Sequence, residues 1–191
     1  MIFERGHFNS EKIEKSTVNE SYRSIKMFSA KKTYDSLPTV FLSHKHSDLE
    51  DLQGVMGLLK ELGAKVYIDS MDTKMPKETS GETAKRIKEV IKYCKKFILL
   101  ATEDAIESFW CNWELGIGDT HRFKNHIAIL PIKETGESDY NYKGNEYLQI
   151  YPQIKYYNGF TNFNGHYFEP GYYISNPFDN YITKLEIWLK Q

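Results

Sequence analysis

Hydrophobic positions change period several times after Pro38. Thr39-Val40-Phe41-Leu42 is a short apolar, β-branched run ending at Ser43, the pattern of a strand buried on both faces. After it, Leu49, Leu52, Val55, Met56, Leu59 and Leu62 recur at three- and four-residue spacing, which predicts a helix capped by Asp48 and closed by Gly63. Lys65 to Asp69 predicts a second strand, followed by a polar loop over Ser70–Gly81. Ala84, Ile87, Ile91 and Cys94 form another helical stripe, and the apolar run Phe97 to Ala101 predicts a third strand. A fourth strand is expected over His126–Ile132 and a fifth, at the sheet edge, over Ile154–Tyr157. Asn176-Pro177 supplies a cap and a first-turn proline for a last helix carrying Phe178, Tyr181, Ile182, Leu185 and Leu189. Each crossover is long enough for a helix, so the strands are expected to be parallel and covered on both faces.

Before Pro38 the signal is weaker. Ile13, Val18, Tyr22, Ile25 and Phe28 are the apolar members of a mixed segment, Asn9 to Tyr34, expected to lie as a helix over the core. Leu37-Pro38 stops it, because proline disfavours the α region for its predecessor. The expected organisation is an N-terminal segment, 1–38, partly helical, and one domain over 39–191. That domain includes a tyrosine-rich loop region, 137–176, and the C-terminal helix.

Composition narrows the function classes. The 191 residues carry 25 Lys+Arg against 26 Asp+Glu, so no global positive field exists to hold nucleic acid or an anionic membrane. The N-terminus lacks the apolar core of a signal peptide, and no run reaches the ~18 apolar residues of a membrane helix, which points to a cytoplasmic protein. Cys94 and Cys111 cannot make a disulfide framework. Tyrosine is in excess, and 10 of the 14 lie from Tyr140 onward. Their spacing among Asn, Gly and Pro predicts an aromatic, loop-rich cover, either simple packing or a surface that shapes a pocket or recognises a trigger.

Ligands of open parallel α/β sheets sit beyond the carboxyl ends of the strands. That rule selects Ser43, His44, Lys45 and His46 after the first strand, and Asp69 after the second. Neither a dinucleotide fingerprint nor a phosphate-cradling loop follows a strand. His44 and His46 lack the i, i+4 spacing of a helical zinc pair, so no metal site is expected. Asp69 has the position of a phospho-acceptor, but Ser43-His44-Lys45-His46 is a poor environment for the magnesium such a site needs. The most informative segment is Trp110-Cys111-Asn112-Trp113-Glu114. On a helix, Trp110 and Glu114 share a face, placing a carboxylate beside an indole wall, while Cys111 is expected to face away. A shielded carboxylate interacts strongly with developing positive charge, as glycosidic cleavage through an oxocarbenium-like transition state requires. The same spacing also describes a partly exposed Glu on a helix whose tryptophans are core.

Val40-Phe41-Leu42-Ser43-His44 with Asp48, the Ser70–Gly81 loop, and Ser108-x-Trp110-Cys111-x-x-Glu114-Leu115 together resemble the Toll/interleukin-1 receptor (TIR) domain family, over about Thr39 to Lys133. The resemblance implies a three-layer, flavodoxin-like α/β fold. It also implies an NAD+ glycohydrolase or cyclase, in which Glu114 is catalytic and NAD+ is the substrate, with no resident cofactor. Ser43, His44 and Lys45 then either line the nicotinamide and phosphate side or form a polar turn. Asp69 either bonds a ribose or fixes the loop, and Trp110 either walls the pocket or packs in the core. Small bacterial members of the family act as phage sensors whose nucleotide product activates a separate effector, as in Thoeris defence. Self-association through the Ser70–Gly81 loop is a further implied partner contact. The alternatives are a non-catalytic adaptor, which has no need of the box glutamate, and a nucleoside glycosyl-transfer enzyme on a related scaffold.

Overall fold

The computed structural model describes residues 2–11, 37–72, 75–76, 80–121, 124–138, 142, 144–162, 165–179 and 181–191. β1 (Phe3–Glu4) precedes a 3-10 turn at His7–Glu11. The helix expected from Asn9 to Tyr34 falls almost wholly outside the described residues. From β2 (Thr39–Ser43) the chain continues through α1 (Leu49–Glu61), β3 (Lys65–Tyr67), α2 (Gly81–Tyr93), β4 (Lys96–Ala101), α3 (Glu103–Ile106), α4 (Phe109–His121) and β5 (Ile127–Lys133). Then come β6 (Gln153–Tyr157), a small hairpin of β7 (Phe160–Thr161) and β8 (Tyr167–Phe168), β9 (Gly171–Ser175), β10 (Ile182–Lys184) and α5 (Leu185–Lys190).

The sheet runs β10-β9-β6-β5-β4-β2-β3, with β1 paired to β5. Its β3, β2, β4, β5 and β6 strands are parallel, as strands joined by helical crossovers must be. Because successive strand side chains point to opposite faces, two cores form. Val40, Leu42, Ile98 and Leu100 cluster with residues of α1 and α5, whereas Phe41, Phe97 and Leu99 cluster with α2, α3 and α4. The same alternation turns Ser43 toward α4. That helix lies close to the sheet at Gly118, where a Cβ would stand 3.2 Å from the Phe97 ring.

Several local expectations give way. β6 is interior: antiparallel β9 covers its outer side, and β10 forms the edge. Tyr156 and Tyr172 face each other across that pair, and Tyr157, Tyr167 and Tyr173 also lie on strands, which suit half-buried aromatics, within an otherwise loop-rich stretch. The last helix begins only at Leu185, after strand β10. Asn176 Oδ1 accepts from Phe178 N–H and Asp179 Oδ1 from Tyr181 N–H, local turns that compete with helix initiation and leave both aromatic rings exposed. Asp48 precedes α1 yet makes no capping hydrogen bond, because its carboxylate is engaged elsewhere.

The first residues join the core. Phe3 and Phe8 are buried, and the turn carrying Phe8 rests on α1 at Gly54, where a Cβ would stand 2.2 Å from the Phe8 carbonyl oxygen. Helix propensity alone would favour Gly54→Ala by ~1 kcal/mol. The clash is with backbone, and overpacking costs ~1–3 kcal/mol. We expect a lower urea midpoint and faster amide exchange in residues 3–9; an unchanged midpoint would show that this contact is dispensable.

Candidate active site

The carboxyl ends of β2 and β3 and the start of α4 surround a cavity of about 360 Å³, toward the lower end of the ~300–1,000 Å³ of small-molecule sites. His44, Lys45 and His46 line one wall, Asp69 and Ser70 a second, and Ser108, Trp110 and Cys111 the third.

Glu114 stands behind this cavity, at 2% exposure. Its helix starts at Ser108, whose Oγ accepts from Cys111 N–H at 3.4 Å and whose carbonyl accepts from Asn112 N–H at 3.0 Å, the N-cap pattern. Ser43 Oγ donates to Glu114 Oε2 at 2.5 Å. Oε1 has no hydrogen-bond partner among the described residues. Burial, and then the negative charge of Asp69, raise the Glu114 pKa well above the ordinary carboxyl value. The Ser43 hydrogen bond opposes this, and so does the Trp110 indole, which lies near without reaching hydrogen-bond geometry at Oε1. A buried oxygen with no donor costs ~1–3 kcal/mol. The site is built at the expense of stability.

His44 is buried, with Nδ1 3.4 Å from the Leu42 carbonyl and 3.8 Å from Asp69 Oδ1, and Nε2 3.2 Å from Ser70 Oγ. Burial lowers its pKa; Asp69, the Leu42 carbonyl and Asp48 pull it up, and His46 pushes it down. A neutral ring assigns the proton to Nδ1, donating to Leu42, and leaves Nε2 to accept the Ser70 hydroxyl. Lys45 is exposed at the rim, where its ammonium can meet an anionic group. The start of the Ser70–Gly81 loop is pinned at buried Asp72. Its Oδ2 accepts from Tyr67 Oη and from Arg86 Nε, each at 2.8 Å. Residues 73–74 and 77–79 of this loop are outside the described set.

Residues 40–163 match the model of the TIR domain family, well over half of the 191-residue chain. The chain belongs to the TIR domain family. A Bacillus cereus (strain MSX-D12) protein named probable 3' cyclic ADP-D-ribose synthase ThsB' is 31% identical over 150 residues, which are 78% of this chain and 72% of that protein.

Within this TIR domain, His44, Lys45, Asp69 and Trp110 meet at the cavity, whereas Ser43 and Glu114, bonded to each other, are buried and do not line it. Cys111 is the small buried core residue expected, and it has a polar contact as well. It borders the cavity, and its thiol donates to the His44 carbonyl at 3.4 Å. Burial pushes that thiol up to about 11, so it stays protonated. Tyr147 has no signal in the sequence: its hydroxyl donates to Asn112 Oδ1 at 2.6 Å, and Asn112 Nδ2 donates to the Ile106 carbonyl at 2.9 Å. The tyrosine-rich stretch thereby fastens the helix that carries Glu114. Among the described residues, no helix is long and apolar enough to cross a membrane.

Proposed function

We propose that this TIR domain cleaves NAD+ at the nicotinamide–ribose bond with Glu114 as the catalytic carboxylate. The observation that carries the reading is the unmatched Oε1 of a buried glutamate behind a cavity. A ribose hydroxyl can donate to it, and the cationic nicotinamide favours its ionised form. Held by Ser43 through Oε2, the carboxylate then faces charge growing on the ribose, which a water-poor site stabilises far more than bulk water does.

Nicotinamide departs with the electron pair of the broken C–N bond. Water adds to the ribose cation and loses a proton, giving ADP-ribose, or a hydroxyl of the same molecule does so, giving a cyclic isomer. The name of the Bacillus relative favours the cyclic product. Trp110 walls the nicotinamide side, Lys45 meets a phosphate, neutral His44 shapes the floor, and Asp69 bonds a ribose or holds the loop. In the biological setting we infer, a phage-derived trigger and self-association through the Ser70–Gly81 loop switch on synthesis, and the product activates a separate effector, as in Thoeris defence.

A non-catalytic adaptor has one observation in its favour. Phe109 is 95% exposed and Trp113 38%, an apolar face suited to protein contact. It leaves the orphaned Glu114 oxygen without a purpose. Chromatography and mass spectrometry of NAD+ incubated with the protein separate the two readings. Catalysis yields nicotinamide plus ADP-ribose or a product one water lighter; an adaptor leaves NAD+ intact.

Tyr167 and Tyr181 are 58% and 60% exposed and are among the ten C-terminal tyrosines, which we propose recognise the trigger. Tyr167→Ala and Tyr181→Ala should leave basal NAD+ cleavage unchanged and reduce the response to infected-cell extract several-fold. Unchanged response in both variants would leave packing as the role of this region.

A further inference from the structure

We infer that Arg5 is a positioning residue for the active site, tying the N-terminal segment to the two stretches that carry Ser43 and Glu114. Its Nη1 lies 3.2 Å from both Asp48 Oδ1 and Asp51 Oδ2, while Nε donates to Glu134 Oε1 at 2.6 Å. The Asp48 and Asp51 side chains are 0% and 1% exposed. Gly6 N–H donates to Asp51 Oδ1 at 2.8 Å, so backbone and side chain grip the start of α1 together.

Asp48 passes the connection on. Its Oδ2 accepts from Thr102 Oγ1 at 2.7 Å, and that hydroxyl oxygen in turn accepts from Ala105 N–H as the cap of α3. Helix α3 leads through Ser108 into α4 and Glu114. On the other side, Asp48 N–H donates to the Lys45 carbonyl at 2.9 Å, closing the loop that follows Ser43 and His44. One buried carboxylate therefore sets both halves of the Ser43–Glu114 contact. Among the described residues, Arg5 supplies the only cation within ion-pair distance of Asp48 or Asp51. Removing it leaves two neighbouring carboxylates buried without a counter-charge, a state costly enough to move the backbone that holds them. Small displacements of reacting groups cost rate heavily.

The catalytic half of this inference rests on the NAD+-cleavage reading; the coupling half does not. Full-length Arg5→Gln and Thr102→Val are compared with wild type by amide hydrogen exchange and by nicotinamide release, with infected-cell extract present. Exchange in 43–48 and 103–108 should quicken by about tenfold, while α2 keeps its protection. The kcat should fall about tenfold with KM within about twofold, since positioning and not binding is lost. Methylguanidinium should restore part of the Arg5→Gln rate. Exchange that rises evenly over the whole fold, or not at all in those two stretches, would overturn the inference, as would a wild-type kcat. Wild-type protein that releases no nicotinamide would instead defeat the NAD+ reading, and the exchange pattern would decide the coupling alone.

Discussion

Glu114→Gln should release nicotinamide at least ~10²–10³-fold more slowly than wild type, the usual cost of losing a preorganised group that stabilises transition-state charge. The fold should survive, because Gln keeps the volume and the acceptor for Ser43 Oγ. Stability adds a second signature. Glu114 is raised above its ordinary value of 4.5. Between that pH and the raised value, the folded protein keeps a proton that the unfolded chain has released, so wild-type stability falls as pH rises through this window. Gln does not titrate. The advantage of the variant is therefore small in acid and grows with pH by up to ~1.4 kcal/mol per unit across the window. Denaturation midpoints of both proteins over a pH series check this; parallel curves would mean that Glu114 titrates like a surface carboxylate.

Ser43→Ala should be the next most damaging change. The 2.5 Å hydrogen bond it removes is the short one that holds Glu114 Oε2. Its loss takes the Ser43 hydroxyl from Oε2 beside an already orphaned Oε1, which costs ~1–3 kcal/mol, and frees the group to rotate away from the ribose. We expect kcat/KM to fall by ~10–100-fold. The direction of the pH effect follows from the same bond. It favours the charged form, so without it Glu114 ionises at higher pH and the acid limb of the kcat/KM profile moves to the alkaline side. A limb left in place would separate Ser43 from Glu114 ionisation.

Strand and helix order from Thr39 to Lys133 is legible in the sequence because buried parallel strands read as unbroken apolar runs and the covering helices as three-four stripes. The candidate site is legible for a related reason: the carboxyl ends of such strands are where side chains are spared for chemistry. What local pattern does not carry is contact over distance. Asp48 looks like a helix cap, yet it bonds Arg5, 43 positions away, and Thr102, 54 positions away. β9 and β10 escape notice because Tyr, Asn and Gly in this stretch do not alternate cleanly, and their places are fixed by partners distant in sequence or behind a turn, β6 for β9 and β9 for β10. The helix stripe from Phe178 onward misleads at its start, where Asn176 and Asp179 bond their own neighbours and hold the chain in turns.

The most direct test of the central claim is nicotinamide release from NAD+ by the purified chain, alone and with extract of phage-infected cells, measured beside Glu114→Gln. The account predicts release by wild type in at least the triggered condition and near-background release by the variant. Intact NAD+ in both conditions, or release that survives the Glu114 substitution, would contradict it.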